Sequence, residues 1–113
     1  MRSSSQILSF WQQALAALVR GDGQDLTVRQ LAILTTIYAS SAPCTVRGLA
    51  SGLAISKPAV TRAIDTLETL ELCRRQPDES DRRSVLIQRT VRGSVYAARL
   101  GEVVRAALPV ERV

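Results

Sequence analysis

The stretch from Thr45 to Thr90 reads TVRGLASGLAISKPAVTRAIDTLETLELCRRQPDESDRRSVLIQRT, and its punctuation decides the fold. Thr45 can cap a short helix in which Leu49, Ala50 and Leu53 fall on one face. Ala54 and Ile55 make a tight turn. Ser56 caps the next helix, and Pro58 sits in its first turn, where a missing N–H costs nothing. In that helix, residues 56–70, Val60, Ile64 and Leu67 form the stripe for burial, flanked by Ala63 and Leu70. Lys57, Thr61, Arg62 and Asp65 are left facing out. A strand from about Leu72 to Arg75, a turn at QPDESD and a returning strand from Ser84 to Arg89 complete the stretch. The order is helix, tight turn, helix and β-ribbon. It predicts a mainly α fold with a small antiparallel β-wing, a winged helix-turn-helix.

Working outward, a helix is expected from about Ser5 to Arg20, capped by Ser4 or Ser5. Ile7, Trp11, Ala14, Leu15 and Leu18 recur on one face, and Gly21 suits a left-handed C-terminal position. The loop GDGQD follows. Thr27 opens a second helix, with Gln30 three residues later to close a capping box, and Leu31, Leu34, Ile37 and Tyr38 supply its inner stripe. That helix ends near Ser40, before Pro43, and Cys44 lies in a very short strand. Thr90 caps a last helix from Val91 to about Leu108, with Tyr96, Leu100, Val103, Val104 and Leu108 on one side, stopped by Pro109. The terminal helices, 1–20 and 91–108, are the expected dimerisation elements of one domain spanning 1–113.

With 113 residues and a hydrophobic share of 46%, the chain can fill one modest core and no more. Its net charge is +5, and Lys57 is its only lysine. Guanidinium groups hold phosphate oxygens in a bidentate fork and stay charged when desolvated, so an arginine-rich chain suits a polyanion partner. There is no histidine, which removes the usual general base and the commonest metal ligand. No Gly-rich phosphate loop and no paired carboxylates in an apolar setting are present, so neither an enzyme nor a bound cofactor or metal is expected. No apolar run is long enough to span a bilayer, and the N-terminal stretch carries polar residues at helical spacing, which places the protein in the cytoplasm.

Two features carry chemistry. The capped start of the 56–70 helix presents Ser56, Lys57 and Pro58, with Thr61 and Arg62 one turn on; early residues of such a helix reach base edges in a major groove. Arg47 sits in the first turn of the preceding helix, where a dipole disfavours a cation and a phosphate would reverse the penalty. The ribbon, residues 73–90, has Asp81, Arg82 and Arg83 near its tip, and a tip arginine fits a narrow minor groove. A carboxylate in the turn is expected to hold a guanidinium extended, and Asp65 to orient Arg62 or a strand arginine such as Arg74.

SKPAVTRAIDTLETLELCRR followed by DESDRRSVLIQRT resembles the recognition helix and wing of the MarR family of transcriptional regulators. LTVRQLAILTTIYA and TVRGLASGLAIS resemble that family's second and third helices, so the likeness runs from about Leu26 to Thr90. It implies that Asp81 positions the wing, that Arg83 enters the minor groove, and that Ser56 to Arg62 read the major groove. It further implies a homodimeric, repressor-type regulator on double-stranded DNA, of a kind often released by a small-molecule effector, here of unknown identity and with less wall for its pocket because the ends are short. The helix after the wing is shorter than the family's usual C-terminal elements, and no cysteine sits in the first helix, where the family's oxidation sensors carry theirs. Cys44 and Cys73 read as small hydrophobes. The competing reading is a winged helix used as a protein-docking module without sequence-specific DNA binding.

Overall fold

The computed structural model describes residues 2–21 and 23–109. Asp22 of the expected GDGQD loop lies outside them, as do Met1 and 110–113. Five helices and three strands follow in the order α1 (Ser4–Arg20), α2 (Val28–Ala39), β1 (Cys44–Thr45), α3 (Val46–Leu53), α4 (Lys57–Thr69), β2 (Cys73–Pro77), β3 (Val85–Arg89) and α5 (Val91–Ala107). The strands form an antiparallel sheet in the order β1-β3-β2. This is the expected mainly α fold with a small antiparallel wing.

The chain divides into two compact units, 26–97 and a second made of 1–25 with 98–113. The 26–97 unit holds the core. Ile33, Leu34 and Ile37 of α2, Leu49 and Ala50 of α3, and Ala59, Val60, Ala63, Ile64 and Leu67 of α4 are buried with Leu72, Cys73 and Ile87. Each large member contributes roughly 1.5–3 kcal/mol by leaving water. The helix starts follow the sequence: Thr27 and Gln30 form a reciprocal capping box, the Thr45 hydroxyl accepts from the Gly48 N–H, and the Ser56 hydroxyl accepts from the Ala59 N–H. Ala54 ends α3 in the left-handed region at φ 55°, making the turn between α3 and α4 without a glycine.

Tyr38 ties this unit together. Its hydroxyl donates to the Leu72 carbonyl at 2.6 Å and accepts from the Thr90 N–H at 3.1 Å, so α2 is bonded to both ends of the wing. The Thr90 hydroxyl donates to the Glu71 carbonyl and accepts from the Gly93 N–H, capping α5. Gly93 is buried at this crossing; a Cβ there would meet the Tyr38 hydroxyl at 1.8 Å and the Leu72 carbonyl at 2.1 Å. Arg89 closes the other side. Its Nε donates to the Ile37 carbonyl, its guanidinium also reaches the Ser40 carbonyl, and it lies 5.6 Å from the centre of the Tyr38 ring. A cation at those last carbonyls complements the end of the α2 dipole.

In the other unit, α1 is capped by Ser3, one residue before the expected positions, through a box with Gln6. Ala14 is the buried residue of α1, while Ile7, Leu8, Trp11, Leu15 and Val19 are exposed, as is Leu108 after α5. Gly21 departs from expectation. It is extended, at φ −76° and ψ 169°, because its N–H already meets the Ala17 and Leu18 carbonyls and the chain leaves the helix without reversing.

Strand boundaries also move, and β3 begins at Val85 rather than Ser84. β2 begins at Cys73 rather than Leu72 and runs through Gln76 and Pro77, which the composition had assigned to the turn. The sheet order leaves β2 on an edge, where proline's missing N–H is tolerated.

Gly93→Ala is expected to destabilise the protein by about 1–3 kcal/mol or more, because a backbone oxygen and a bonded hydroxyl must both move. Urea unfolding checks it, with the neighbouring exposed Ser94→Ala as a near-neutral control.

Candidate nucleic-acid interface

The exposed side of α4 begins with its cap. Ser56, Lys57, Pro58, Thr61, Arg62 and Asp65 are all exposed, whereas Ala59, Val60, Ala63, Ile64 and Leu67 are buried. The helix thus anchors one face and frees the other, and the free face starts at an N-terminus whose first N–H groups suit an anion. The Lys57 ammonium and the Arg62 guanidinium engage no other described residue. Arg47, exposed in the first turn of α3, is likewise unengaged.

The wing tip spans Asp78 to Ser84. The Asp78 N–H donates to the Ser84 carbonyl, the Asp81 N–H to the Asp78 carbonyl and the Ser84 N–H to the Asp81 carbonyl. Two carboxylates lock these turns. Asp78 accepts from both the hydroxyl and the N–H of Ser80, which hold it below the usual carboxylate range. Asp81 accepts from the Arg83 N–H at 3.0 Å. The expectation that a turn carboxylate grips a guanidinium is corrected here: in both cases the carboxylate grips backbone, as aspartate in tight turns commonly does. The Arg82 and Arg83 side chains are exposed and engage no other described residue.

Asp65 does meet a strand arginine, as expected, but it is Arg75 rather than its neighbour Arg74. The Arg75 guanidinium donates to Asp65, to Glu68 at 2.7 Å and to the Thr61 carbonyl at 3.1 Å, while its backbone N–H donates to Glu68 at 2.8 Å. That backbone bond, ahead of the side-chain bond, holds the Glu68 carboxyl below its ordinary value despite partial desolvation. Burial works against the charge on Arg75, but the bonds to Asp65 and Glu68 outweigh it and raise its pKa. Strand parity carried the missed signal. With Cys73 facing inward, Arg75 shares its side of β2 and Arg74 takes the other.

Arg75 also marks where the wing stands. It joins β2 to Thr61 and Asp65, both on the solvent side of α4, so the ribbon rises beside the exposed face of the helix. The turn at Asp78 lies three residues further along, about 10 Å at strand spacing. Among the sequence-predicted residues, the structure brings Thr61 to this junction, leaves Ser56, Lys57, Pro58 and Arg62 along the same helix face, and puts Asp81, Arg82 and Arg83 at the ribbon tip.

A family model, MarR, matches residues 26–85, more than half of the sequence and the whole helix-turn-helix through the wing tip. The chain belongs to the MarR family. Membership makes it a DNA-binding transcription regulator and not an enzyme. Solved structures agree on the fold. The transcriptional regulator Tm0710 from Thermotoga maritima is 24% identical, with 90% of this chain and 69% of that one covered at a TM-score of 0.73. BldR from Sulfolobus solfataricus is 26% identical over 94% of this chain and 81% of its own, at 0.65. Reduced AbfR, solved bound to DNA, is 23% identical over 93% and 72%, at 0.68. The comparison with curated proteins gave no match.

The two thiols lie in this unit. Cys44 pairs with Ile87 and Cys73 with Arg89, so β3 separates them. Two strand spacings, with the two-residue offset from Ile87 to Arg89, put their backbones roughly 11–12 Å apart, beyond the ~7 Å that a disulfide bridges. Both are free, Cys73 buried and Cys44 half-buried. Burial, then the nearby Glu68 charge, pushes the Cys73 thiol up to about 11. It therefore stays protonated, and unreactive, at neutral pH. Iodoacetamide at pH 8 is expected to leave Cys73 unmodified in the folded protein and to label it only after denaturation, as mass spectrometry of the peptides will report.

Proposed function

We propose that the protein is a homodimeric repressor that grips operator DNA with α4 in the major groove and the wing in the adjacent minor groove. The carrying observation is where unengaged cations gather: Arg47, Lys57, Arg62, Arg82 and Arg83 are exposed and engage no other described residue, while Arg75 and Arg89, elsewhere in the same unit, are bonded inside the fold. A fold that spends some arginines on its own carboxylates and carbonyls, and leaves others bare around a capped helix and a ribbon tip, is prepared for an external polyanion.

The roles divide by position. Ser56, Lys57 and Pro58 bring the α4 start against a phosphate, and Thr61 and Arg62 face base edges. Arg62 across guanine O6 and N7 supplies about 1–3 kcal/mol of discrimination. Asp81 shapes the tip that carries Arg82 and Arg83 to the minor groove, and Arg47 takes a backbone phosphate. The apolar residues that α1 exposes, Trp11 at 49% and Leu8 at 67% among them, support pairing with a second copy. Two recognition helices about 34–36 Å apart would then meet successive major grooves. Occupying such a site excludes other proteins from it, which is the simplest route to repression.

Arg83→Ala is expected to weaken operator binding by on the order of tenfold or more and to lower the salt dependence of affinity. Arg99→Ala, an exposed arginine of α5, is expected to change neither. Gel-shift titrations at several salt concentrations check both; equal losses from the two variants contradict the wing assignment.

A further inference from the structure

The Arg75 junction is a densely bonded side-chain cluster between the wing and α4, and the base-reading roles above do not use it. One guanidinium and one backbone N–H from β2 meet three successive positions of the exposed stripe of α4, the Thr61 carbonyl, Asp65 and Glu68. Arg75 is only 27% exposed, and its guanidinium is committed to these acceptors. Its neighbour Arg74 is exposed and unengaged, so the strand offers one arginine outward and turns the other onto the helix.

We infer that Arg75 is a positioning residue: it is the strut that holds the wing at a fixed angle to the recognition helix, and the grip of Arg83 on DNA is transmitted through it without Arg75 touching DNA. The planar fork is what the task needs. Its donors reach acceptors on two consecutive turns of α4 at once, and the resulting brace resists both twist and splay of a two-stranded ribbon. A lysine would keep the charge and lose the fork. Among the described residues β2 has no strand on its outer edge, so on that side this brace is what holds the ribbon to α4.

The inference rests on the wing reading proposed above, and its sign separates it from simple charge. Asp65 is 60% exposed on the face offered to DNA. If only the local field mattered, Asp65→Ala would remove a carboxylate facing phosphates and strengthen binding. If Asp65 serves the strut, the same change weakens binding although the protein becomes more positive.

The experiment uses the full chain and a duplex selected by the wild-type protein from random sequence. Affinity is measured for Arg75→Lys, Asp65→Ala, Arg83→Ala and the double variant Arg75→Lys/Arg83→Ala. Backbone 15N relaxation of residues 78–84 is recorded in the free protein. The strut predicts a loss on the order of tenfold for Arg75→Lys, a weaker Asp65→Ala, and a double variant little worse than Arg83→Ala alone, as for directly coupled positions. It also predicts new mobility at 78–84 without DNA. Full activity in Arg75→Lys, tighter binding by Asp65→Ala, additive losses or an unchanged wing each overturn it. Because Asp65 is on the surface, its variant keeps the test alive should Arg75→Lys fail to fold. An Arg83→Ala protein with wild-type affinity would instead overturn the wing reading, and the relaxation data would still decide whether Arg75 braces the ribbon.

Discussion

Burial of one face of α4 constrains the rest of the 26–97 unit. Ala59, Val60, Ala63, Ile64 and Leu67 are driven out of water together, and a helix that loses one face to the core must present the other in a fixed orientation. The Ser56 cap fixes where that helix begins, and the left-handed Ala54 fixes how α3 delivers the chain to it. The backbone positions that carry the exposed Lys57, Thr61 and Arg62 are therefore held in a fixed row, with little backbone entropy left to lose when a ligand is met.

The ribbon is a different physical problem. A two-stranded wing has little core of its own, and an isolated hairpin is marginal in water. Here it is secured from several directions. β1 extends the sheet beside β3, Tyr38 bonds the backbone at both its ends, Arg89 turns back onto the end of α2, and Arg75 meets α4. Only the tip is left to the solvent, and there two aspartates spend their carboxylates on backbone N–H groups. The result is a division among arginines of one short segment. Those whose strand position points inward serve the fold, and those at the tip stay bare.

This division explains what was legible in the sequence. Caps, helix stripes and the α3–α4 turn are local, set by residues three or four apart, and Thr27, Thr45, Ser56 and Thr90 cap the helices they were expected to cap. The exposed row on α4 follows from the same periodicity. The partners of charged groups are not local. Asp65 lies ten residues from Arg75, and Arg89 about fifty from the carbonyls it meets; only the packed sheet and helices bring them together. That Asp65 meets a strand arginine was legible; which one follows from strand parity, with Arg75 on the side of the buried Cys73 and Arg74 on the other. Gly93 carried no signal, since its need for a bare backbone arises from a tyrosine hydroxyl on another helix. Gly21 misled because a helix can end in extended backbone when its last carbonyls are already met.

The central claim is that α4 and the wing engage neighbouring grooves of one duplex. Dimethyl sulfate tests it most directly, because it methylates guanine N7 in the major groove and adenine N3 in the minor groove within one reaction. On a bound operator, the account predicts two patches of protected guanine N7 about one helical turn apart, each flanked by protected adenine N3. Protection confined to one groove, or a retarded complex with no protection in either, would contradict it.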